Sequence, residues 1–90
     1  MDGQLQMYIV EKIRRLGYFP KVTQNFKNIS IEWDKYILVI NKLAYTSGGS
    51  ALVTFGTFDR YGHIIDDNLE RISVRHLYQY VNQLFDDLYD

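Results

Sequence analysis

The sequence predicts a single α+β domain in which two helices flank an antiparallel sheet of three or four strands. A chain of 90 residues has the length of one domain. Apolar residues recur at helical spacing near both ends of the chain, and they alternate with polar residues in the middle. Together these three observations predict the order helix, antiparallel strands, helix.

The first helix is predicted from Gly3 to Leu16, because four apolar residues recur at spacings of three and four. They share one face of the helix: Leu5, Ile9, Ile13 and Leu16. Asp2 is a suitable N-cap residue, since its carboxylate can accept hydrogen bonds from free backbone N–H groups. Gly17 suits the left-handed position that follows many helices.

A hairpin with a two-residue turn at Asp34 and Lys35 follows. Its register is predicted by the residues that it would place on one face, which are Ile29, Ile31, Trp33, Tyr36, Leu38 and Ile40. The second strand is also apolar on its other face, through Ile37 and Val39. Such a strand is expected to lie centrally in the sheet or to be covered by a partner.

The rest of the chain alternates between turn signals and apolar segments. In order, the sequence predicts a flexible loop over Thr46–Ser50, a strand over Ala51–Phe58, a turn over Asp59–Gly62, a short fourth strand over His63–Ile65, a break at Asp66–Asn68 and a helix from Leu69 or Ser73 to Leu88. The acidic residues before this helix are interpreted as a helix-leading turn, because carboxylates are favourable at a helix N-terminus.

Composition and charge exclude several classes of protein. Cysteine is absent, which excludes a disulfide scaffold, a thiol enzyme and a zinc site built on cysteine. The longest apolar run is five residues, and no secretory signal is visible, so a cytoplasmic protein without a membrane span is expected. Residues 1–45 hold seven basic and four acidic groups, and residues 46–90 hold three and seven. The near-neutral total therefore divides into +3 and −4.

No catalytic residue, metal ligand or cofactor-binding residue is predicted. His63 has acidic neighbours in sequence, but no nucleophile–base set can be assembled around it. Asp66, Asp67 and Glu70 lack the glycine and the distant glutamate of a calcium loop. The chain is therefore expected to bind rather than to catalyse.

Acidic residues and tyrosines indicate a protein-binding surface. Eight tyrosines are present, and tyrosine offers a large contact area at low entropic cost. We expect the second half of the chain to dock on a basic nucleic-acid-processing protein, imitating phosphates. The predicted partner-binding residues are Asp59, Tyr61, Asp66, Asp67, Glu70, Asp86 and Asp87.

The layout of the segment from Ile9 to Asn41 resembles that of small phage-borne inhibitors, including anti-CRISPR proteins. In one of those, a short N-terminal helix leads into a strand hairpin and then into acid-rich helical sequence. The C-terminal part of this chain departs from that pattern because its acid density is lower. The resemblance implies a non-enzymatic inhibitor, and it transfers no functional residue to this chain.

Three alternatives stay open. The helix–strands–helix order is similar to that of a double-stranded-RNA-binding domain, in which phosphates would contact a basic surface. That surface would consist of Lys12, Arg14, Arg15, Lys21 and Lys27. The second alternative is a homo-oligomeric structural or regulatory domain that covers Ile37 and Val39. The third is an enzyme of unrecognised type.

Overall fold

A five-stranded antiparallel sheet forms the centre of the fold, with both helices on one of its faces. The structure is a computed structural model that describes residues 2–41 and 49–90, apart from the side chain of Asp2. Its elements in chain order are α1 (Asp2–Arg15), β1 (Lys21–Gln24), β2 (Asn28–Trp33), β3 (Tyr36–Asn41), β4 (Ser50–Phe58), β5 (Ile64–Ser73) and α2 (Leu77–Tyr89), the last preceded by a 3₁₀ turn at Val74–His76. The predicted α+β class and helix–sheet–helix order are confirmed.

The strands lie in the sheet in the same order as in the chain, β1-β2-β3-β4-β5, and every neighbouring pair is antiparallel. The sheet has five strands, one more than the larger predicted number, because β1 adds an edge strand. The strand β1 was not predicted, since it is four residues long and Val22 alone among them is both apolar and partly buried. The strand β5 is seven residues longer than the short strand predicted over His63–Ile65, which it overlaps at Ile64 and Ile65.

The predicted hairpin register is confirmed at all three pairs. Trp33 lies opposite Tyr36, Ile31 opposite Leu38 and Ile29 opposite Ile40. Asp34 adopts a φ of 50°, so this turn takes the left-handed conformation that glycine usually supplies. The strand β3 lies at the centre of the sheet, as its two apolar faces predicted.

Helix α1 ends at Arg15, one residue before the predicted end, and Gly17 terminates it as predicted. Gly17 has a φ of 94°, its N–H donates to the carbonyl of Arg14, and the N–H of Tyr18 donates to the carbonyl of Ile13. This pair of bonds is the Schellman arrangement, which satisfies carbonyls that the helix leaves free. The helix begins at Asp2, one residue before the predicted start, and the predicted capping carboxylate lies outside the described side chains.

The core lies between the helices and the inner face of β2, β3 and β4. Its largest fully buried members are Leu5, Ile9, Ile13, Ile29, Ile31, Leu38, Ile40, Val53, Leu77 and Val81. Trp33 extends the core toward the C-terminal end of α2, where its ring stacks on Phe85 at 5.3 Å between centroids. The Trp33 Nε1–H donates a 2.8 Å hydrogen bond to the Tyr89 hydroxyl, so this end of α2 is tied to the end of β2.

The break predicted at Asp66–Asn68 and the helix start predicted at Leu69 are wrong. Both segments belong to β5, and the sheet continues to Ser73. The misleading signal has a physical reason: β5 is exposed over most of its length, so it lacks the alternation of apolar and polar residues that marks a half-buried strand. The predicted loop at Thr46–Ser50 lies largely outside the described residues, and Ser50 already belongs to β4.

Candidate protein-binding surface

The strand order converts the charge asymmetry of the sequence into a charge asymmetry across the sheet. Because strands follow one another in chain order, basic residues of the first half lie toward β1, and acidic residues of the second half lie toward β5. The start of α2 lies near β5, whereas its C-terminal turn reaches β2 and α1, where Phe85 stacks on Trp33 and lies under the Lys12 Nζ atom. The β5 side of the sheet is therefore the acidic flank of the domain.

The β4–β5 hairpin presents one end of the acidic flank. The Asp59 Oδ1 atom accepts hydrogen bonds from the N–H groups of Tyr61 and His63, and Gly62 takes a φ of 81°. This turn leaves the Tyr61 side chain 70% exposed, with the guanidinium of Arg60 5.0 Å from its ring centroid. The hairpin thus holds an aromatic side chain outward at a defined position.

The residues Asp66, Asp67 and Glu70 lie along β5, which corrects their assignment to a helix-leading turn. Asp66 has a φ of 51° beside an irregularity in the β4–β5 register, where one extra residue is accommodated. All three side chains are exposed. Burial raises the pKa of the Tyr80 hydroxyl above its ordinary value, and the nearby charge of Glu70 raises it further.

The C-terminal turn of α2 brings Asp86 and Asp87 to the same end of the molecule as the hairpin. Tyr89 accepts the hydrogen bond from Trp33, Trp33 lies opposite Tyr36, and Tyr36 lies opposite Thr57, which leads into the hairpin. We call Asp59, Tyr61, Asp66, Asp67, Glu70, Asp86 and Asp87 the acidic surface. Six of its members gather toward this end, and Glu70 lies farther along β5, opposite Val53.

Lysine and arginine side chains in the described part of the chain do not neutralise the carboxylates of the acidic surface. Within residues 2–41 and 49–90, none of them forms an ion pair with lysine or arginine. Asp59 lies 3.6 Å from His63 Nδ1, and Asp87 accepts a hydrogen bond from Gln83. Exposed, unpaired carboxylates leave a negative field that extends into solvent.

The basic residues on the other flank have more intramolecular partners. The Lys12 Nζ atom lies over the rings of Tyr8 and Phe85, at 5.2 and 5.9 Å from their centroids. Arg15 pairs with Glu11 at 3.9 Å, and Lys21 pairs with Glu32 at 4.0 Å. Arg14 and Lys27 are exposed, the first on α1 and the second in the β1–β2 turn. Nucleic-acid binding through these five residues stays a prediction.

Sequence reasoning missed the apolar character of the open sheet face, the one without helices. Ile37 and Val39 of β3 were recognised, but Leu52 of β4 and Leu69 of β5 lie on the same face, beside Asn41 and Thr54. Leu69 is 66% exposed. The available signal was the alternation within Leu52–Thr54, which places Val53 in the core and its neighbours on the other face.

Four tyrosines lie off the main apolar stripes of the sequence and are candidates for an interface, namely Tyr45, Tyr61, Tyr80 and Tyr89, and two of them serve the fold. Tyr89 belongs to the Trp33 cluster, and Tyr80 is partly buried against the core. Tyr61 is the exposed one, while Tyr45 lies outside the described residues. The aromatic contribution to the candidate surface therefore comes from the hairpin.

The described residues contain no group of three histidine, aspartate or glutamate side chains arranged to hold a metal ion. Among the described helices, none combines the length and the apolar character needed to cross a lipid bilayer. Comparisons with protein-family models, with curated proteins and with solved structures found no match.

Proposed function

We propose that this chain is a non-enzymatic protein-binding module that docks its acidic surface on a basic nucleic-acid-processing protein. In this proposal the module occupies the site of the nucleic-acid backbone and inhibits the partner, in the manner of a small phage or mobile-element inhibitor. The observation that carries the proposal is the set of exposed carboxylates on β5 and at the C-terminal end of α2, which form no ion pair with lysine or arginine within residues 2–41 and 49–90.

The physical argument is electrostatic complementarity. A groove that binds nucleic acid is lined by lysine and arginine, which contact phosphates along an extended path. The acidic surface offers carboxylates on an extended strand and on a helix end, most of them toward one end of the sheet. Such a surface raises the association rate with a basic partner and repels nucleic acid itself. The exposed Tyr61 ring supplies an apolar contact beside the charges.

The experiment changes the charge of the acidic surface without disturbing the sheet. The test variant combines Asp66→Asn, Asp86→Lys and Asp87→Lys. Asparagine tolerates the left-handed conformation at position 66, and lysine is favourable near the C-terminus of α2. A matched control, Gln4→Lys/Glu11→Lys/Thr23→Lys/Gln24→Lys, adds the same net charge to exposed positions on the α1 and β1 flank.

Tagged wild-type protein, the test variant and the control are used in parallel affinity purifications, and retained proteins are then purified for measurement of Kd. We expect a basic nucleic-acid-processing partner whose Kd rises on the order of 100-fold with the test variant and changes little with the control. We also expect the wild-type protein to inhibit that partner's activity. Equal weakening by both variants, or retention of no such partner, would contradict the proposal.

A further inference from the structure

The outer edge of β5 is open for strand pairing. The N–H of Val74 donates to the carbonyl of Gly49, so even-numbered residues such as Glu70 and Ile72 direct their backbone groups toward β4. Because these directions alternate along an antiparallel strand, Leu69 and Arg71 direct their N–H and C=O groups to the free edge. The first eight residues of β5 are exposed.

The side chains along this edge are complementary to themselves. Asp67, Leu69 and Arg71 follow one another on the open face, with a carboxylate on one side of a leucine and a guanidinium on the other. If two copies of β5 pair antiparallel about a twofold axis at Leu69, the leucines face each other. Asp67 of each copy then lies opposite Arg71 of the other, which forms two opposite-charge pairs.

The neighbouring registers are disfavoured by charge. Pairing centred on Glu70 places the two Glu70 carboxylates opposite each other, and pairing centred on Asn68 places Asp66 opposite Glu70. Like charges directly opposite one another destabilise a strand pair. The charge pattern therefore favours the register centred on Leu69 over both alternatives.

The groups involved are free to pair. Among the described residues Arg71 has no ion pair, and its Nη1 makes a long hydrogen bond of 3.3 Å to the Ser50 hydroxyl. Asp67 likewise has no cationic partner there. The irregularity at Asp66 and the 3₁₀ turn at Val74 delimit the regular edge to residues 67–73.

The surroundings of β5 accommodate a second copy. On the helix side, a groove of about 510 Å³ lies between β5 and α2, lined in part by the uncharged side chains of Gln79, Tyr80 and Gln83. In the register centred on Leu69, Glu70 of each copy lies opposite the uncharged Asn68 of the other on that side. On the open face, Leu69 and Leu52 of each copy extend one apolar surface across the axis.

We propose that two copies of this chain associate through antiparallel pairing of their β5 strands, in the register centred on Leu69, to form a continuous ten-stranded sheet. This association shares Asp67 with the acidic surface, but it is tested separately by molecular mass, because it does not require the hairpin or the α2 carboxylates. The occupant of the β5 edge is thus a second copy of the chain.

The test measures molecular mass by analytical ultracentrifugation over a range of concentrations. We expect the wild-type protein to associate reversibly from 10.7 kDa to twice that mass. Asp67→Arg and Arg71→Asp each replace two attractive pairs by two repulsive ones, so each variant alone should raise the dimer Kd on the order of 30-fold or more. Both positions are exposed, and circular dichroism checks that the variants are folded.

Two restoration experiments distinguish this register from any other. An equimolar mixture of Asp67→Arg and Arg71→Asp should form a heterodimer, because arginine then faces aspartate at both sites. The double variant Asp67→Arg/Arg71→Asp should form a homodimer with a Kd close to that of the wild type. A wild-type protein that stays at 10.7 kDa up to millimolar concentration overturns the proposal, as does a folded double variant or mixture that remains monomeric.

Discussion

The two edges of the sheet differ in length, exposure and charge pairing. The β1 edge has four residues, and its Lys21 is paired with Glu32 of the neighbouring strand. The β5 edge has ten residues, and its carboxylates and Arg71 form no ion pair among the described residues. A short edge offers few free backbone groups for strand pairing, whereas a long exposed edge offers many. This difference supports the proposed pairing of β5 with a second copy.

The largest effect on the free energy of unfolding is expected for a core residue that supports both edges of the sheet. Leu38 lies fully buried in the central strand, opposite Ile31 and Phe55. Leu38→Ala should lower the free energy of unfolding by about 3 kcal/mol, because it removes buried apolar contacts and leaves a cavity. Urea denaturation followed by circular dichroism and by tryptophan fluorescence measures this change. Loss of less than about 1 kcal/mol, or separate transitions for the two probes, would show that the edges do not share one core.

A smaller effect is expected at the link between α2 and the end of β2. Tyr89→Phe removes the hydroxyl that accepts the Trp33 Nε1–H and leaves a donor of a buried residue without an acceptor. The free energy of unfolding should fall by about 1–2 kcal/mol. Tyr36→Phe serves as the control, since it removes a hydroxyl from the same cluster of rings without touching that bond. Equal losses for the two variants would argue against the assigned role of the bond.

A substitution in the β1–β2 turn should weaken the β1 edge without affecting the β5 edge. The Asn25 side-chain oxygen accepts hydrogen bonds from the N–H groups of Lys27 and Asn28, at 2.8 and 2.7 Å. Asn25→Ala should cost about 1 kcal/mol and should speed amide exchange in β1. Amide exchange in β5 should stay unchanged, and hydrogen-exchange mass spectrometry compares the two edges in one experiment. Faster exchange at both edges would mean that they open together.

The smallest effect is expected at high pH and concerns the β5 flank. The pKa of Tyr80 lies above its ordinary value of 10.0, first because of burial and second because of Glu70. The folded state thus disfavours tyrosinate, so this contribution to stability is complete below about pH 10 and is lost as the pH rises through the raised pKa. Tyr80→Phe should flatten the decline in thermal stability above pH 10. Glu70→Gln should move the tyrosinate absorbance transition of Tyr80 to lower pH, and an unmoved transition would contradict the assigned contact.

The centre of the fold was predictable from the sequence, and its edges were not. The alternation of Ile29, Ile31 and Trp33 specifies a face and a register, because a shift by one residue would expose all three. The strands β1 and β5 carry no such constraint, since burial selects few of their residues. Acidic residues before a helix fit a helix start as well as an edge strand, which explains the misassignment of Asp66 and Asp67.

The candidate binding residues were likewise only partly predictable from the sequence. The exposure of most of the predicted acidic side chains could be anticipated from their charge. The position of Asp86 and Asp87 near the hairpin could not, because it depends on the packing of the end of α2 against Trp33. The role of Arg71 depends on the symmetry of Asp67, Leu69 and Arg71 about the leucine. That order of residues is visible in the sequence, but it indicates complementary strand pairing only once the three residues are known to share a strand.

The order of the strands has a consequence for how the chain reaches its folded state. Every strand pairs with its neighbour in the chain, and the β2–β3 turn spans two residues. Strand pairing therefore requires no distant segments to meet, and the search is mostly local, which favours rapid folding for a sheet protein. A growing chain can add the strands one after another from the Trp33–Tyr36 hairpin, with α2 closing last over a sheet already in place.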